Sequence, residues 1–293
     1  MKGKKTGLSF GWPLAGAGAV ALVLLVTLSG CSTAKPERRE LAAISQEQAA
    51  STPAEVFDWL QRGNERFASG KLKPRDMLHD QRITAAGQHP RAAILSCIDS
   101  RAPAEFIFDA GIGDLFNARI AGNIADADLA GSLEFACKVS GAKLVVVMGH
   151  TSCGAIKGAC DRVQLGNLTG LLEKIQPAVE AVRDVHGERN SKNNEFVEAA
   201  AEANVRLTVQ RMRELSPILR GMESEGKIGI VGCIYSLETG RVRFLTPPAA
   251  LSKKERRLFE QEQTERTEIL AEFSVAVRDL SGSPLVKIRR SND

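Results

Sequence analysis

The chain has 293 residues, of which 43% are hydrophobic and 25% are charged. This composition is typical of a globular protein and excludes an intrinsically disordered chain. The net charge is +4, and part of it comes from three lysines within the first five residues and from Arg289 and Arg290. Because the middle of the chain is close to neutral, no nucleic-acid partner is expected. Six cysteines are too few for a disulfide scaffold of this length.

The N-terminus has the pattern of an export signal. Basic residues are followed by the uncharged, apolar residues 13–28 and then by a short stretch that ends at Cys31. This ending resembles the lipobox of bacterial lipoproteins, which implies a signal sequence over residues 1–31 and a lipid on Cys31. The expected location is the periplasmic side of a bacterial cell envelope, with the outer membrane favoured because Ser32 follows Cys31. The alternative is an uncleaved membrane anchor, for which the apolar run is rather short.

The next segment and the start of the folded part can be separated by composition. Residues 32–52 are polar, charged and rich in alanine, and we expect a flexible tether. The folded domain is expected over residues 53–250. Its first element is a helix that starts at Pro53, because apolar residues between Val56 and Phe67 recur at helical spacing.

Short apolar runs predict the strands of the domain. They are 92–97, 115–120, 143–148, 228–235 and 241–245. Helical patterns lie between them, at 128–139, 155–161, 168–183 and 194–215. The run at 143–148 is apolar on both faces, as in a parallel strand covered by helices. The predicted fold class is therefore α/β, with a mainly parallel central β-sheet flanked by helices.

The last part of the chain is expected to be an extension of the domain. Residues 251–293 are predicted to contain a charged amphipathic helix at 252–272. Alternating apolar and polar residues around Ser281-Gly282-Ser283-Pro284 then indicate a hairpin at 273–288.

Two clusters of reactive side chains follow two of the predicted strands. Cys97, Asp99 and Arg101 come after the first strand, and His150 and Cys153 come after the third. Because sites in open α/β sheets form at the carboxyl ends of the strands, both clusters are expected on one rim. Two thiolates and one imidazole are a catalytic zinc pattern that leaves one position open, and they do not suit magnesium or calcium.

Simpler interpretations of the same residues remain. Cys97 can be a small apolar residue in a buried strand, and Asp99 and Arg101 can be a surface charge pair at a helix start. A structural zinc site is the intermediate interpretation. It is disfavoured because structural sites usually contain paired Cys-x-x-Cys knuckles, which the sequence lacks.

At these residues the sequence resembles the β-class carbonic anhydrases. The family pattern Cys-x-Asp-x-Arg matches Cys97, Asp99 and Arg101, and His-x-x-Cys-Gly matches the segment from His150 to Gly154. The similarity runs from about residue 57 to residue 245. It implies one zinc ion per chain and reversible hydration of CO2 to bicarbonate and a proton by a zinc-bound hydroxide. Zinc would be bound by Cys97, His150 and Cys153.

The resemblance also implies a role for the acidic residue. Asp99 would pair with Arg101 and accept a hydrogen bond from the hydroxide. Arginine holds a carboxylate ionised through a forked, charge-assisted bond. In some family members the aspartate moves onto the zinc, so Asp99 is also a candidate metal ligand.

The resemblance implies a substrate pocket as well. Gln88 has the spacing of an active-site glutamine that reaches across a dimer, and Phe116, Ala121 and Phe135 would form an apolar wall for CO2. Gly154, next to the second cysteine ligand, is also expected to bind substrate. The alternatives are a surface-loop glutamine and ordinary core packing. Three further cysteines are expected to be buried thiols, with a disulfide among them as the open alternative in an oxidising compartment: Cys137, Cys160 and Cys233.

The resemblance implies a homodimer or homotetramer, with the helix at 56–67 exchanged between subunits. Two other functions remain open from the sequence. One is a non-catalytic zinc-binding envelope protein. The other is a sister hydrolase on the same fold that acts on carbonyl sulfide or carbon disulfide. The complete set of candidate ligands with Asp99 and Arg101 favours the anhydrase.

Overall fold

The structure is a computed structural model, and it describes residues 36–245 together with residues 247, 257 and 261. The predicted signal sequence and Cys31 lie outside the described residues. So do the predicted C-terminal helix and hairpin, apart from Arg257 and Gln261, which are both helical. Among the described helices, none is long and apolar enough to cross a membrane.

Helices and strands alternate along the central part of the chain. The described α-helices are α1 (Pro36–Ala50), α2 (Pro53–Ala68), α3 (Met77–Thr84), α4 (Ala104–Ile107), α5 (Ala127–Glu134), α6 (Gly154–Cys160), α7 (Gly166–Glu173), α8 (Gln176–Ala181), α9 (Asn194–Leu215) and α10 (Pro217–Ser224). The strands are β1 (Ala92–Ser96), β2 (Leu115–Arg119), β3 (Leu144–His150), β4 (Gly229–Tyr235) and β5 (Val242–Phe244). A 3₁₀ turn at Ala121–Asn123 follows β2, and a π-helical turn at Phe135–Val139 continues α5.

The strands form one five-stranded sheet with the order β2-β1-β3-β4-β5. The first four strands in this order pair in parallel, and β5 pairs antiparallel to β4. The predicted fold class, α/β with a mainly parallel sheet, is confirmed. In the register, Ser96 at the end of β1 lies beside Met148 of β3. The residues that follow β1 therefore reach the same rim as the end of β3.

The sheet separates two apolar layers because successive side chains of a strand point to opposite faces. On one face, Leu95 and Val147 pack with buried residues of helices α5 to α10. On the other face, Ile94 and Val146 pack with buried residues of α2 and α4. Both faces of β3 and β4 are fully covered, as expected for parallel strands between helical layers.

The helix α2 begins at Pro53, as predicted. The Thr52 side chain accepts a hydrogen bond from the Glu55 amide, and the Glu55 carboxylate accepts one from the Thr52 amide. This capping box satisfies amide groups at the helix start. The helix packs on its own chain, where Phe57 lies 4.5 Å from Phe244 between ring centroids. Exchange of this helix between subunits stays a prediction.

The segment expected to be a flexible tether, 32–52, is instead helical over α1. Gln48 is buried, and its side-chain amide donates to the carbonyl oxygens of Pro90 at 2.7 Å and Ser140 at 2.8 Å. Glu47 forms a 2.8 Å ion pair with Arg91. The expectation is wrong because the helix docks through polar contacts, which its weakly amphipathic sequence does not reveal.

Some helices differ from the sequence prediction. The predicted helix 168–183 is two helices, α7 and α8, because Pro177 has no amide hydrogen and starts a new helical segment. The helices α3, α4 and α10 are short and were not predicted, whereas α9 has the predicted limits.

Candidate metal centre

The carboxyl ends of β1 and β3 bring three candidate ligands together. Cys97 follows β1, His150 is the last residue of β3, and Cys153 precedes the first turn of α6. All three side chains are buried, and their potential ligand atoms lie within 4.8 Å of one another. The two sulfur atoms are 4.0 Å apart. The sequence prediction that these two clusters meet on one rim is confirmed.

The imidazole of His150 is oriented for a metal. Its Nδ1 lies 2.9 Å from the Thr151 carbonyl oxygen. Because a carbonyl oxygen can only accept, Nδ1 carries the hydrogen, and Nε2 has a free lone pair. The buried Nε2 has no hydrogen-bond partner among the described residues. A buried polar atom without a partner is costly, and a metal ion at this position would satisfy it.

The donor set fits zinc. Thiolate and imidazole ligands suit zinc, and three protein ligands leave a fourth tetrahedral position for water or substrate. Two sulfurs on one tetrahedral zinc, with bonds of about 2.3 Å, lie about 3.8 Å apart. The observed separation of 4.0 Å is close to that value.

The sulfur of Cys97 is also held by the backbone. The Gly122 amide donates to the Cys97 sulfur at 3.4 Å. The pKa of Cys97 is lowered, mainly by the neighbouring Cys153 thiol and also by the Gly122 amide. The contact raises the pKa of Cys153, so Cys97 is the first of the pair to ionise. The thiolate is the form that binds metal.

Asp99 stands beside this group as an ionised carboxylate. The Arg101 guanidinium donates to its two oxygens at 2.9 and 2.8 Å, and this fork holds the pKa of Asp99 well below its ordinary value. Asp99 Oδ2 is 3.8 Å from His150 Nε2. Arg101 binds both carboxylate oxygens, and Asp99 is not among the three residues whose potential ligand atoms lie within 4.8 Å of one another. A role of Asp99 as a metal ligand stays a prediction.

Two further contacts hold the loop between His150 and Cys153. Ser152 has a φ of +53°, an unfavourable value for a residue with a side chain. Its amide donates to Glu198 Oε1 at 2.9 Å. The Thr151 hydroxyl accepts from the Leu237 amide at 3.0 Å. The strained loop is thus held from α9 and from the segment after β4.

Comparison with known proteins identifies the family. Residues 92–242 match the carbonic anhydrase family. The chain is 36% identical over 199 residues to carbonic anhydrase 2 of Mycobacterium tuberculosis, a match that covers 65% of this chain and 92% of that protein. The chain belongs to the carbonic anhydrase family.

Solved structures place its fold in the β class. The beta-carbonic anhydrase CcaA is 25% identical, with a TM-score of 0.50 and coverage of 66% of this chain and 98% of that one. One of two tetrameric beta-carbonic anhydrases from Sordaria macrospora has the same fold, with 24% identity, a TM-score of 0.51 and coverage of 67% and 99%.

The pocket residues expected for a β-carbonic anhydrase are only partly brought together. Phe116 and Phe135 pack edge to face at 6.1 Å and line a cavity of about 520 Å³. Neither Ala121 nor any of the three candidate ligands lines this cavity. Phe116 lies three residues before the end of β2, roughly 10 Å along the strand, whereas the ligands lie at the rim. This cavity is therefore separate from the ligand group, and a substrate-binding role for Phe116, Ala121 and Phe135 stays a prediction.

Two other expected pocket residues are exposed. Gln88 lies in the loop before β1, and no hydrogen bond links it to the ligand group within the described residues. Gly154 begins α6 directly after Cys153, and a Cβ there would meet no heavy atom within 4 Å. The space next to the second cysteine is therefore open.

The remaining described cysteines are buried free thiols, as expected. They are Cys137, Cys160 and Cys233. Burial raises the pKa of Cys137 to about 12 and that of Cys160 to about 11. Such thiols are protonated at neutral pH and are not activated as nucleophiles or ligands.

The sequence did not single out two residues that support the site, Asn204 and Glu198. Both lie on α9, far from the motifs in sequence. For Asn204 a signal exists, because it occupies a core position of an amphipathic helix, where a polar side chain needs a partner. Glu198 carries no such signal, since an acidic residue on a partly exposed helix is common.

Proposed function

We propose that this protein catalyses the reversible hydration of CO2 to bicarbonate with one zinc ion bound by Cys97, His150 and Cys153. The observation that carries the proposal is the buried ligand group whose His150 Nε2 has no partner, next to the ionised Asp99. Zinc bound there would act as a Lewis acid and supply hydroxide near neutral pH. Family membership supports the same reaction.

The chain's own residues orient the nucleophile. Asp99 is held by the fork from Arg101, and Arg119 donates to the backbone carbonyls of Cys97 and Asp99 at 3.0 and 2.5 Å. An ionised carboxylate can only accept hydrogen bonds, so Asp99 would accept the hydrogen of the nucleophile and leave a lone pair of its oxygen free to attack CO2. A protonated Asp99 could also donate a hydrogen bond and would no longer fix this orientation. Arg101 prevents protonation by keeping the carboxylate ionised.

The test is CO2 hydration by stopped flow from pH 6 to 9, with zinc content measured on the same samples. Asp99→Asn keeps the shape but can also donate a hydrogen bond. We expect its kcat/KM to fall by about 10²–10⁴ with zinc still bound. The matched control is Asp58→Asn, an exposed aspartate on α2, which should retain full activity.

The alternatives predict other results. One zinc per chain without hydration at any pH would contradict the anhydrase proposal. Hydrolysis of carbonyl sulfide or carbon disulfide by the same sample would then identify the sister hydrolase, and inactivity on both would leave a zinc-binding envelope protein.

We propose a lipid anchor on Cys31 at the periplasmic side of a bacterial membrane, with the outer membrane favoured. The sequence pattern of residues 1–31 supports it. Radiolabelled palmitate should be incorporated by the wild type and not by Cys31→Ser. Fractionation should show the label in the outer membrane. Incorporation by both proteins, or by neither, would contradict the proposal.

We also propose a homodimer or homotetramer. Large apolar side chains are exposed at Phe106, Phe135 and Val139, with 59%, 49% and 71% of their surface accessible. Phe135 and Val139 lie in one π-helical turn, and adjoining exposed apolar side chains are typical of an interface. A structural neighbour is tetrameric. Analytical ultracentrifugation should give two or four subunits, and a monomer at micromolar concentration would contradict the proposal.

A further inference from the structure

The long helix α9 carries a buried amide toward the metal centre. The buried face of this helix is apolar except at Asn204 and Thr208. Asn204 is 3% exposed. Burial of an amide costs free energy unless the group is hydrogen-bonded. Its Nδ2 donates to the Gly122 carbonyl oxygen at 2.8 Å, a contact between residues 82 positions apart.

Gly122 is the link between this amide and the Cys97 sulfur. Its own amide is the donor to that sulfur, at 3.4 Å. Gly122 has a φ of +68°, and a Cβ there would lie 2.5 Å from Ile175 Cδ1. The position therefore requires glycine, whose backbone is the most flexible of all residues. Because glycine restrains its own backbone least, the Asn204 contact adds a restraint to the turn that presents the Gly122 amide to the sulfur.

We propose that Asn204 is a positioning residue for the metal centre, which acts through Gly122 to hold the N–H···S hydrogen bond to Cys97. The inference rests on the proposed function, in which Cys97 is a zinc ligand. A hydrogen bond to a thiolate draws electron density from the sulfur and so tunes its bond to the metal. Partners of this kind outside the ligand shell set the orientation and donor strength of metal ligands.

The test uses cobalt(II), which replaces zinc and reports on its sulfur ligands through a sulfur-to-metal charge-transfer band. The full-length protein is loaded with cobalt, and the energy of the band is read from the absorption spectrum. The affinity for cobalt is measured by competition with a chelator. Asn204→Leu keeps the side-chain volume but removes the hydrogen-bond donor. The energy of the lone pairs on the Cys97 sulfur should then rise. We expect the band to move to lower energy and the metal affinity to fall about 10–100-fold.

The matched control is Thr208→Val, which removes the other buried polar side chain of α9 one turn away. A merely structural role for Asn204 would lower the melting temperature of Asn204→Leu and leave its cobalt band unchanged, like that of Thr208→Val. That result would overturn the inference. If Asn204→Leu does not fold, Asn204→Ser replaces it, since serine is too short to reach the Gly122 carbonyl and should give the same band shift.

The wild-type spectrum separates the inference from the proposed function. A wild type that binds cobalt without a sulfur-to-metal band would contradict the proposed ligands, and the inference with them. A normal wild-type band with an unshifted Asn204→Leu band and unchanged affinity would overturn the role of Asn204 alone. A shift in Asn204→Leu and not in Thr208→Val would support it.

Discussion

The substitution Gly122→Ala tests how tightly the turn beside the metal centre is packed. Gly122 has a φ of +68°, in the left-handed region that residues with a side chain avoid. A Cβ would lie 2.5 Å from Ile175 Cδ1 and 3.3 Å from Ala155 Cβ. Ile175 is fully buried, so its side chain has little room to move away.

The loss of stability in Gly122→Ala has two causes, the left-handed backbone conformation and the steric contact with Ile175. The left-handed conformation costs about 1–2 kcal/mol for alanine. Forcing an extra carbon into a packed core costs about 1–3 kcal/mol. We therefore expect Gly122→Ala to lower the free energy of unfolding by about 2–5 kcal/mol, a large part of the 5–15 kcal/mol typical of a folded protein.

Urea unfolding of the metal-free protein measures this cost without a contribution from metal binding. The control is Gly221→Ala in α10, where a Cβ meets nothing within 4 Å and alanine should be neutral or slightly stabilising. Ile175→Val alone should cost about 0.5–1.5 kcal/mol. Because valine has no Cδ1, the double variant should be about 1–2 kcal/mol more stable than the sum of the single effects predicts. A cost below about 1 kcal/mol for Gly122→Ala, or strict additivity with Ile175→Val, would refute the steric reasoning.

Three further predictions concern stability and metal binding. Two arginines hold the pKa of Asp109 below its ordinary value despite burial. Asp109 therefore stabilises the folded state above about pH 4, and this stabilisation is lost as the pH falls. Asp109→Asn should cost about 3–5 kcal/mol at pH 7 and flatten the acid limb of stability measured by urea unfolding. Gln48→Leu leaves the Pro90 and Ser140 carbonyls without their partner, and hydrogen exchange should show faster opening of α1. Cys153→Ser should bind less than one zinc per chain by metal analysis, whereas Cys160→Ser should bind as much as the wild type.

Much of the fold follows from local patterns along the chain. All five strands were predicted to within two residues at each end, because apolar runs between turns are a strong local signal. The limits of α9 and the start of α2 were also predicted. The missed elements were short helices such as α3 and α4, which contain too few residues to show a period. The tether prediction failed at α1, whose docking depends on polar contacts with distant residues.

The sequence by itself determined the chemistry of the site, because residue types in the two motifs limit which metal can bind and the strand ends predict that the motifs meet. Only the tertiary structure decided which nitrogen of His150 faces the ligand group, and it alone separated the Phe116–Phe135 cavity from the ligands. It alone connected Asn204 to Cys97 through Gly122. The reason is physical. A motif records neighbours in sequence, whereas the Asn204–Gly122 contact joins residues 82 positions apart, which only the packing of α9 brings together.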